Sequence, residues 1–393
     1  MQRLTEVRRM VITELVASGF EFRGGQLVPP EGDGKDVARS MHSTQRRHAL
    51  LKAAPFIHEW EDQLLDRFAD GSDVDPAGIL PRIRAVETPE EAALFRFASL
   101  HWAVPVSQGY GRRTRFLVTD QANGKLIGIA ALGDPVFNLG VRDRLIGWDQ
   151  AQRQDRLYNI FDAFVLGAVD PYRQLIAGKL VALCAVSDEI VAFLEAKYKG
   201  VRTTIRDEEK ISRPVLVTTS SALGRSSIYN RLRLGDRKVF EPIGDTESFG
   251  HFQFSDAVFQ GLVALVSEQE RFRGNRYGDG PNWKIRTIRS GLERLGLSGD
   301  LLKHGIKREV FAAPLSYGWR AFLRGETDVI KPIAYPMEDI AAHYRTRWAI
   351  PRAERRPEFK QWKRASMRLS SELAELVPGQ ASTQDRFEPA EPT

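Results

Sequence analysis

A chain of 393 residues, 42% hydrophobic and 27% charged, is long enough for two or three cores and near average soluble composition, which excludes a peptide-sized module, wholesale disorder and collagen-like repeats. Its 57 Lys and Arg exceed its 51 Asp and Glu by six, a small surplus at this length, so the placement of charge matters more than its sum. A single cysteine, Cys184, rules out an intrachain disulfide and a cysteine-built zinc site and suits a reducing cytoplasm, and no run of about 18 apolar residues offers a membrane span.

Residues 1–85 read as a helical N-terminal region, because Val7, Met10, Val11 and Leu15, then Phe56, Trp60, Leu64 and Phe68, recur at helical spacing. Within it Arg39, His42, Arg46 and Arg47 form a basic stripe that reads as a solvated helix face. Residues 86–257 read as an α/β domain. RFLVT (115–119) and LIGIAAL (126–132) flank Asn123-Gly124, a strong hairpin turn. FDAFVLGAV (161–169) is a strand, Asp170-Pro171 a turn, and Leu175, Leu180, Leu183, Ile190 and Leu194 the stripe of one long helix. PVLVTT (214–219) is a buried strand, SSIYNRL (226–232) a short helix, and VFEPIG (239–244) with FGHFQF (249–254) a closing strand pair. The fold class expected is a mixed, mostly antiparallel α/β sheet between N-terminal and C-terminal helical segments.

Residues 258–377 read as helical and basic, with loops at GDGPN (278–282) and around Pro314. Seven Lys and Arg against Asp279 and Glu293 give 271–294 a local charge of +5, and eight against Glu354 and Glu358 give 345–364 a local charge of +6. The Pro-rich, polar residues 378–393 read as a disordered tail.

The order of hairpin, strand, turn, helix, strand, helix and two strands resembles the GNAT (N-acetyltransferase) fold over residues 86–255. That resemblance implies a strand that splays before a turn whose backbone N–H groups hold the pyrophosphate of acetyl-CoA at a helix N-terminus. The corresponding segment here runs from Asp170 through Arg173 to Lys179 and keeps only Gly178 of the glycine pair, which argues against acetyl-CoA as a cofactor. A second resemblance lies in the motifs themselves. GYGRRTRFLV (109–118), the segment 124–149 with Arg142-Asp143 ahead of Ile146-Gly147-Trp148, TTSSALGRSSIYNRL (218–232) and GHFQF (250–254) are similar in order to the uncharacterised-domain family that includes DruA of the Druantia anti-phage defence system. It implies a bacterial, cytoplasmic defence role, possible company among other defence-system proteins, and no named catalytic residue.

The densest polar stretch follows strand 214–219, where α/β sheets place ligands. Tyr229 and Ser221 of that stretch and His251 of FGHFQF are the catalytic candidates; Arg225, Ser226, Ser227, Asn230 and Arg231, with Arg173 of the turn at 170–179, are candidate ligand or phosphate contacts. The GNAT resemblance would make Tyr229 the acid of a transferase; Ser226 or Ser227 as a helix cap is the plainer reading. Basic residues interleaved with aromatics, among them Arg112, Arg113, Arg142, Arg273, Arg276, Lys284 and Arg286, suit nucleic acid as partner. Arg142 and Asp143 read equally as an internal ion pair. No histidine spacing marks a metal site, although Asp134, Asp143, Asp149, Asp162 and Asp170 leave a metal-dependent nuclease open. The leading expectation is a defence protein acting on or with nucleic acid, with group transfer to a base or nucleotide as its chemistry. The alternative is a non-catalytic DNA-binding or assembly subunit on a degenerate acyltransferase fold.

Overall fold

The computed structural model describes residues 2–376 apart from 24–25, 29, 31–34, 107–110, 203–207, 210–211, 247–249, 251–253, 268–282 and 304–306. Helix α1 (Gln2–Ala17), a hairpin of β1 (Glu21–Arg23) and β2 (Gln26–Val28), and the long α2 (Lys35–Leu65) lead into β3 (Pro81–Ala85) and α3 (Pro89–Leu100). Next come β4 (Arg113–Asp120), β5 (Leu126–Gly133), α4 (Gly140–Ile146), α5 (Gln150–Arg156), β6 (Ile160–Ala168), α6 (Ala177–Cys184), α7 (Asp188–Tyr198) and β7 (Leu216–Ser220). A small hairpin of β8 (Arg233–Leu234) and β9 (Arg237–Lys238) precedes β10 (Glu241–Asp245), α8 (Asp256–Val266), α9 (Trp283–Arg294) and β11 (Glu309–Pro314). Beyond a second small hairpin, β12 (Ser316–Tyr317) with β13 (Lys331–Pro332), the helices are α10 (Trp319–Leu323), α11 (Met337–Tyr344), α12 (Ile350–Arg355) and α13 (Leu369–Leu376).

Seven strands make one sheet in the order β10-β11-β7-β6-β5-β4-β3, antiparallel at every junction except β6 with β7. The sheet is mixed and mostly antiparallel, as expected, and helices cover both of its faces. Phe116, Val118, Ile127 and Phe161 point into a core closed by α6, α7 and α11. Leu117, Ile129, Ala131 and Val165 point the other way, against the second half of α2, α3 and α13. Two-sided burial explains why β5 reads as an unbroken apolar run: every residue of Leu126–Gly133 is buried. The β4–β5 turn is built as its residues demand, with Gly124 at φ +72° and its N–H donating to the Asp120 carbonyl, 2.8 Å.

A separate core joins sequence-distant pieces. Val7, Val11 and Leu15 of α1 and Ala38 and Met41 at the start of α2 pack on Val258, Phe259 and Leu262 of α8 and Ile288 and Leu292 of α9. The Glu14 carboxylate caps the contact, accepting from Ser255 N at 3.0 Å and from its hydroxyl. Because α2 continues into the sheet's own core through Leu50, Ala53 and Ile57, it is a strut between the two units.

Four sequence expectations change. β3 belongs to the sheet, so the sheet starts inside the region read as helical. Residues 172–198 are two helices, because Ser187, extended at φ −64° and ψ 154°, accepts from Ile190 N and starts α7 anew. The partner of β10 is β11, from within the segment read as a Pro314 loop; of the expected partner strand, 249 and 251–253 lie outside the described residues. The basic stripe of α2 is solvated only in part: Arg39 and Arg47 are exposed, but His42 is buried and Arg46 pairs with Glu372.

The Arg142-Asp143 pair is an internal staple. Arg142 is 0% exposed; its guanidinium donates to Asp143 Oδ1 (2.7 and 2.9 Å) and to the Val136 and Phe137 carbonyls (2.8 and 2.9 Å). Asp143 also accepts from Trp148 Nε1 at 3.2 Å and Arg153 Nη1 at 3.0 Å, while Gly147 at φ +74° ends α4 so that Trp148 can fold back. Removing one partner of such a pair strands a buried charge. Asp143→Ala is therefore expected to cost about 3–5 kcal/mol in urea unfolding; a loss below about 1 kcal/mol, typical of exposed pairs, would mean that the staple is solvated.

Candidate functional site at the parting of the parallel strands

β6 and β7 pair through Ile160 with Leu216, Phe161 with Val217 and Asp162 with Thr218, and there the ladder stops. Both strands continue. β6 runs on to Ala168 after a bulge at Phe164, the residue skipped between the Ala131–Val165 and Leu132–Ala163 pairs, and β7 runs on to Ser220 beside β11. At the parting the Thr219 hydroxyl donates to the Ala163 carbonyl, 2.8 Å, in place of a ladder bond.

Asp162 occupies the last paired position. Its Oδ1 accepts from Thr218 Oγ1 at 2.9 Å. Burial pushes its carboxyl up to about 6, against the hydrogen bond from Thr218 and the nearby charges of Arg142 and Arg113. Tyr229, also buried, packs on Phe240 and Phe311 with ring centroids 5.4 and 5.1 Å away. Burial pushes its phenol up to about 12; Thr219 bonds to it, and the charge of Asp162 adds to the rise. The carboxyl is held by Thr218 and the phenol by its neighbour Thr219, and the charge of Asp162 reaches the phenol.

The polar segment after β7 is a chain of turns, not the helix expected for 226–232. Its polar groups are spent locally. Ser226 Oγ accepts from Ile228 N (3.1 Å) and Tyr229 N (3.3 Å), and Ser226 N donates to Glu309 Oε2 (2.9 Å). Asn230 Nδ2 donates to the Ser226 carbonyl (2.8 Å) and to Glu309 Oε2 (3.0 Å), and Ser221 N to the Glu309 carbonyl (2.8 Å). Ser226 and Asn230 therefore shape the turn, Ser221 is buried in it, and Ser227, Arg225 and Arg231 face solvent.

Beside this turn lies a cluster of cations. Lys179, in the first turn of α6, has its ammonium 5.1 Å from the centre of the Trp348 ring. Burial lowers its pKa and the charges of Arg347 and Arg231 lower it further. Arg347 belongs to a π-helical segment, Arg345–Ala349, that links α11 to α12. His343 stacks edge-on against Trp348 at 4.9 Å and is held below its ordinary pKa by burial and then by Arg347. No carboxylate contributes to either shift.

The turn ahead of α6 does not fit the pyrophosphate of acetyl-CoA. Ile176 stands at φ +64°, and a Cβ placed on Gly178 would lie 3.2 Å from Ile228 Cδ1, so side chains cover the backbone that phosphate would approach. Arg173 is exposed and ion-paired with Asp170.

Other expected contacts disperse. Arg112 is buried, its Nε on Asp134 Oδ1 at 2.6 Å and its guanidinium 3.6 Å from the centre of the Tyr158 ring, so like Arg142 it is turned inward and unavailable as it stands to nucleic acid. Arg113 lies 3.7 Å over Phe164. Lys284 and Arg286 are on α9, remote in sequence and core from the turn. Arg273, Arg276 and His251 lie outside the described residues. The five aspartates do not converge: Asp134, Asp143 and Asp170 pair with separate arginines, Asp149 caps α5 and Asp162 holds Thr218. Among the described residues no three His, Cys, Asp or Glu side chains could hold a metal ion together, and no helix is long and apolar enough to cross a membrane.

Sequence reasoning missed Lys179, Arg347 and His343 as neighbours and Asp162 as the centre. The signal for Asp162 was present, a lone carboxylate within FDAFV. For the cations there was none short of contacts between residues far apart in the chain.

Asp162 also sets a pH dependence. Its folded pKa, about 6, lies above the unfolded value of about 3.9, so the folded state holds the proton more tightly and stability falls as pH rises through that window. Asp162→Asn removes this penalty. The variant's unfolding free energy, relative to the native chain's, is expected to improve by on the order of 3 kcal/mol between pH 4 and pH 7.5 in urea titrations; a pH-independent difference would show a solvated carboxyl.

Residues 32–325 match the family model described as Druantia protein DruA. The Druantia protein DruA of Escherichia coli (strain UMEA 4076-1) is 39% identical over 367 residues, 92% of this chain and 90% of that protein. No solved structure matches the chain. A family match over most of the chain, joined by a near full-length relative, makes this chain a member of the DruA family of Druantia proteins.

Proposed function

We propose that the chain serves in anti-phage defence and works there with nucleic acid, whose phosphates it holds at Lys179, Arg231 and Arg347. The observation that carries this reading is the absence of counter-charge: the charges of Arg347 and Arg231 depress the protonation of Lys179, and among the described residues no carboxylate pairs with any of the three. Like charges repel at such a distance, so the cluster is stabilised by an arriving polyanion. Arg347 and Arg231 are exposed, and Trp348 with the half-buried His343 backs the cluster with ring surface.

The strand order, the single parallel pair that parts after three residues, and the helices crossing between β6 and β7 support a GNAT-like reading of the sheet. Ile228 over Gly178 and the locked turn at Glu309 favour that sheet as a platform without acetyl-CoA chemistry. A second reading, group transfer to a base or nucleotide, is favoured by Asp162, whose carboxyl is raised to about 6, suited to accepting a proton, and whose charge reaches Tyr229.

Binding of a labelled oligonucleotide, followed by anisotropy across a salt series, tests the main reading. Affinity is expected to fall steeply with salt, and the triple variant Lys179→Ala, Arg231→Ala, Arg347→Ala to lower the slope by about 2–3. A native slope near zero, or a triple variant that binds like the native chain, would refute it. Asp162→Asn separates the readings: it should leave affinity unchanged in both and abolish phage protection only if the site transfers a group.

A further inference from the structure

Helix α1 packs on the separate core through Val7, Val11 and Leu15, and beside that face it opens a groove against the end of α9. The groove encloses about 530 Å³. Leu4, Arg8 and Ile12 stand four residues apart on α1 and so share one face, Arg9 lies beside them, and Arg294 and Leu295 close the opposite wall. Leu4 and Ile12 are half-buried and Leu295 is buried, which makes the floor apolar, whereas Arg8 and Arg9 are exposed. Arg294 is held by donating from Nη1 to the Leu265 carbonyl. Among the described residues no carboxylate lines the groove, and neither Arg8 nor Arg9 is in an ion pair. Cations beside an apolar floor suit an anionic partner that also carries a large apolar side chain; a chain of phosphates alone would leave the floor uncovered.

The protein itself supplies such a segment. Residues 377–393 lie outside the described residues, and 383–391 read TQDRFEPAE, in which Asp385, Glu388 and Glu391 outnumber Arg386 and surround one aromatic, Phe387. Leu376, from which the segment departs, ends α13 beside α2, where its carbonyl accepts from Arg47 Nη2 at 3.3 Å. Six residues back along α2, roughly 9 Å, Met41 belongs to the core on which α1 packs. The eleven residues from 377 to Phe387 span up to roughly 36 Å when extended, against a helix width of about 10–12 Å. The segment is therefore long enough to pass α2 and reach α1.

We propose that the groove between α1 and the end of α9 is the docking site of the chain's own acidic C-terminal segment, with Phe387 seated on Leu4, Ile12 and Leu295 and with Asp385 and Glu388 meeting Arg8 and Arg9. The segment straps the separate core to the sheet unit that α13 covers, and it withholds Arg8 and Arg9 from other polyanions. The groove is distinct from the Lys179 cluster and does not rest on it.

A fluorescein-labelled peptide of residues 377–393, titrated by anisotropy into the full chain and into a chain ending at Leu376, which keeps every described residue, tests the strap. The shortened chain should bind the peptide. The full chain should bind it about tenfold more weakly, because its own tethered segment competes at an effective concentration on the order of a millimolar. Added salt should weaken binding to the shortened chain, since the arginines are exposed. Phe387→Ala in the peptide, and Arg8→Glu with Arg9→Glu in the shortened chain, should each weaken it several-fold, the latter without a loss of Tm. Equal affinity of the two chains, or a Phe387→Ala peptide that binds like the native one, would overturn the proposal. So would a full chain that is dimeric by light scattering where the shortened chain is monomeric, which would give the groove to a second copy, or an oligonucleotide that displaces the peptide and binds the groove more tightly than it does.

Discussion

Three residue pairs hold the sheet together as one object. The meander β3 to β6 and the group β7, β11 and β10 share a strand ladder only along Ile160–Asp162 and Leu216–Thr218. A parallel junction needs a crossover, here supplied by α6 and α7 across one face. It is also short, so the strands diverge where side chains of β6, β7 and the following turn still face one another. The position of Asp162, the coupling of Thr218 and Thr219 to a carboxyl and a phenol, and the exposure of the turn beyond them all follow from where this ladder ends.

The basic surplus divides into two populations with different physics. Arg112 and Arg142 are consumed by the interior, each facing a carboxylate and an aromatic ring, and they fix the irregular path between β5 and β6. Lys179, Arg231 and Arg347 converge, and among the described residues no carboxylate pairs with them. The first population stabilises the fold and the second burdens it. A motif as conspicuous as Arg142-Asp143 ahead of Trp148 therefore belongs to architecture, whereas the residues that ask for a ligand are individually inconspicuous.

That contrast explains what could be read in advance. The β4–β5 hairpin was legible because Asn123-Gly124 fixes the turn locally, and β6 and β7 because each is a short, mostly buried apolar run. β11 was not, since EVFAAP lies between basic helices and ends at Pro314, and only its pairing with Thr218 and Pro242 makes it a strand. The long helix failed at Ser187, a cap whose effect depends on an extended backbone that composition does not reveal. Within the site, the stretch from Ser221 to Arg231 stood out by polarity, but its shape depends on Glu309, 83 residues from Ser226. Family resemblance by motif order succeeded because several short segments had to agree at once.

The separate core around α1 has a consequence for how the chain is made. Val7, Val11 and Leu15 find their partners on α8 and α9, and Glu14 meets Ser255 across 241 residues. At about 5–20 residues per second, α1 waits on the order of ten seconds or more on the ribosome with its apolar stripe unshielded. A neighbouring nascent copy carries the same vacancy between α8 and α9, so reciprocal exchange of the first helix is the characteristic misassembly of this architecture.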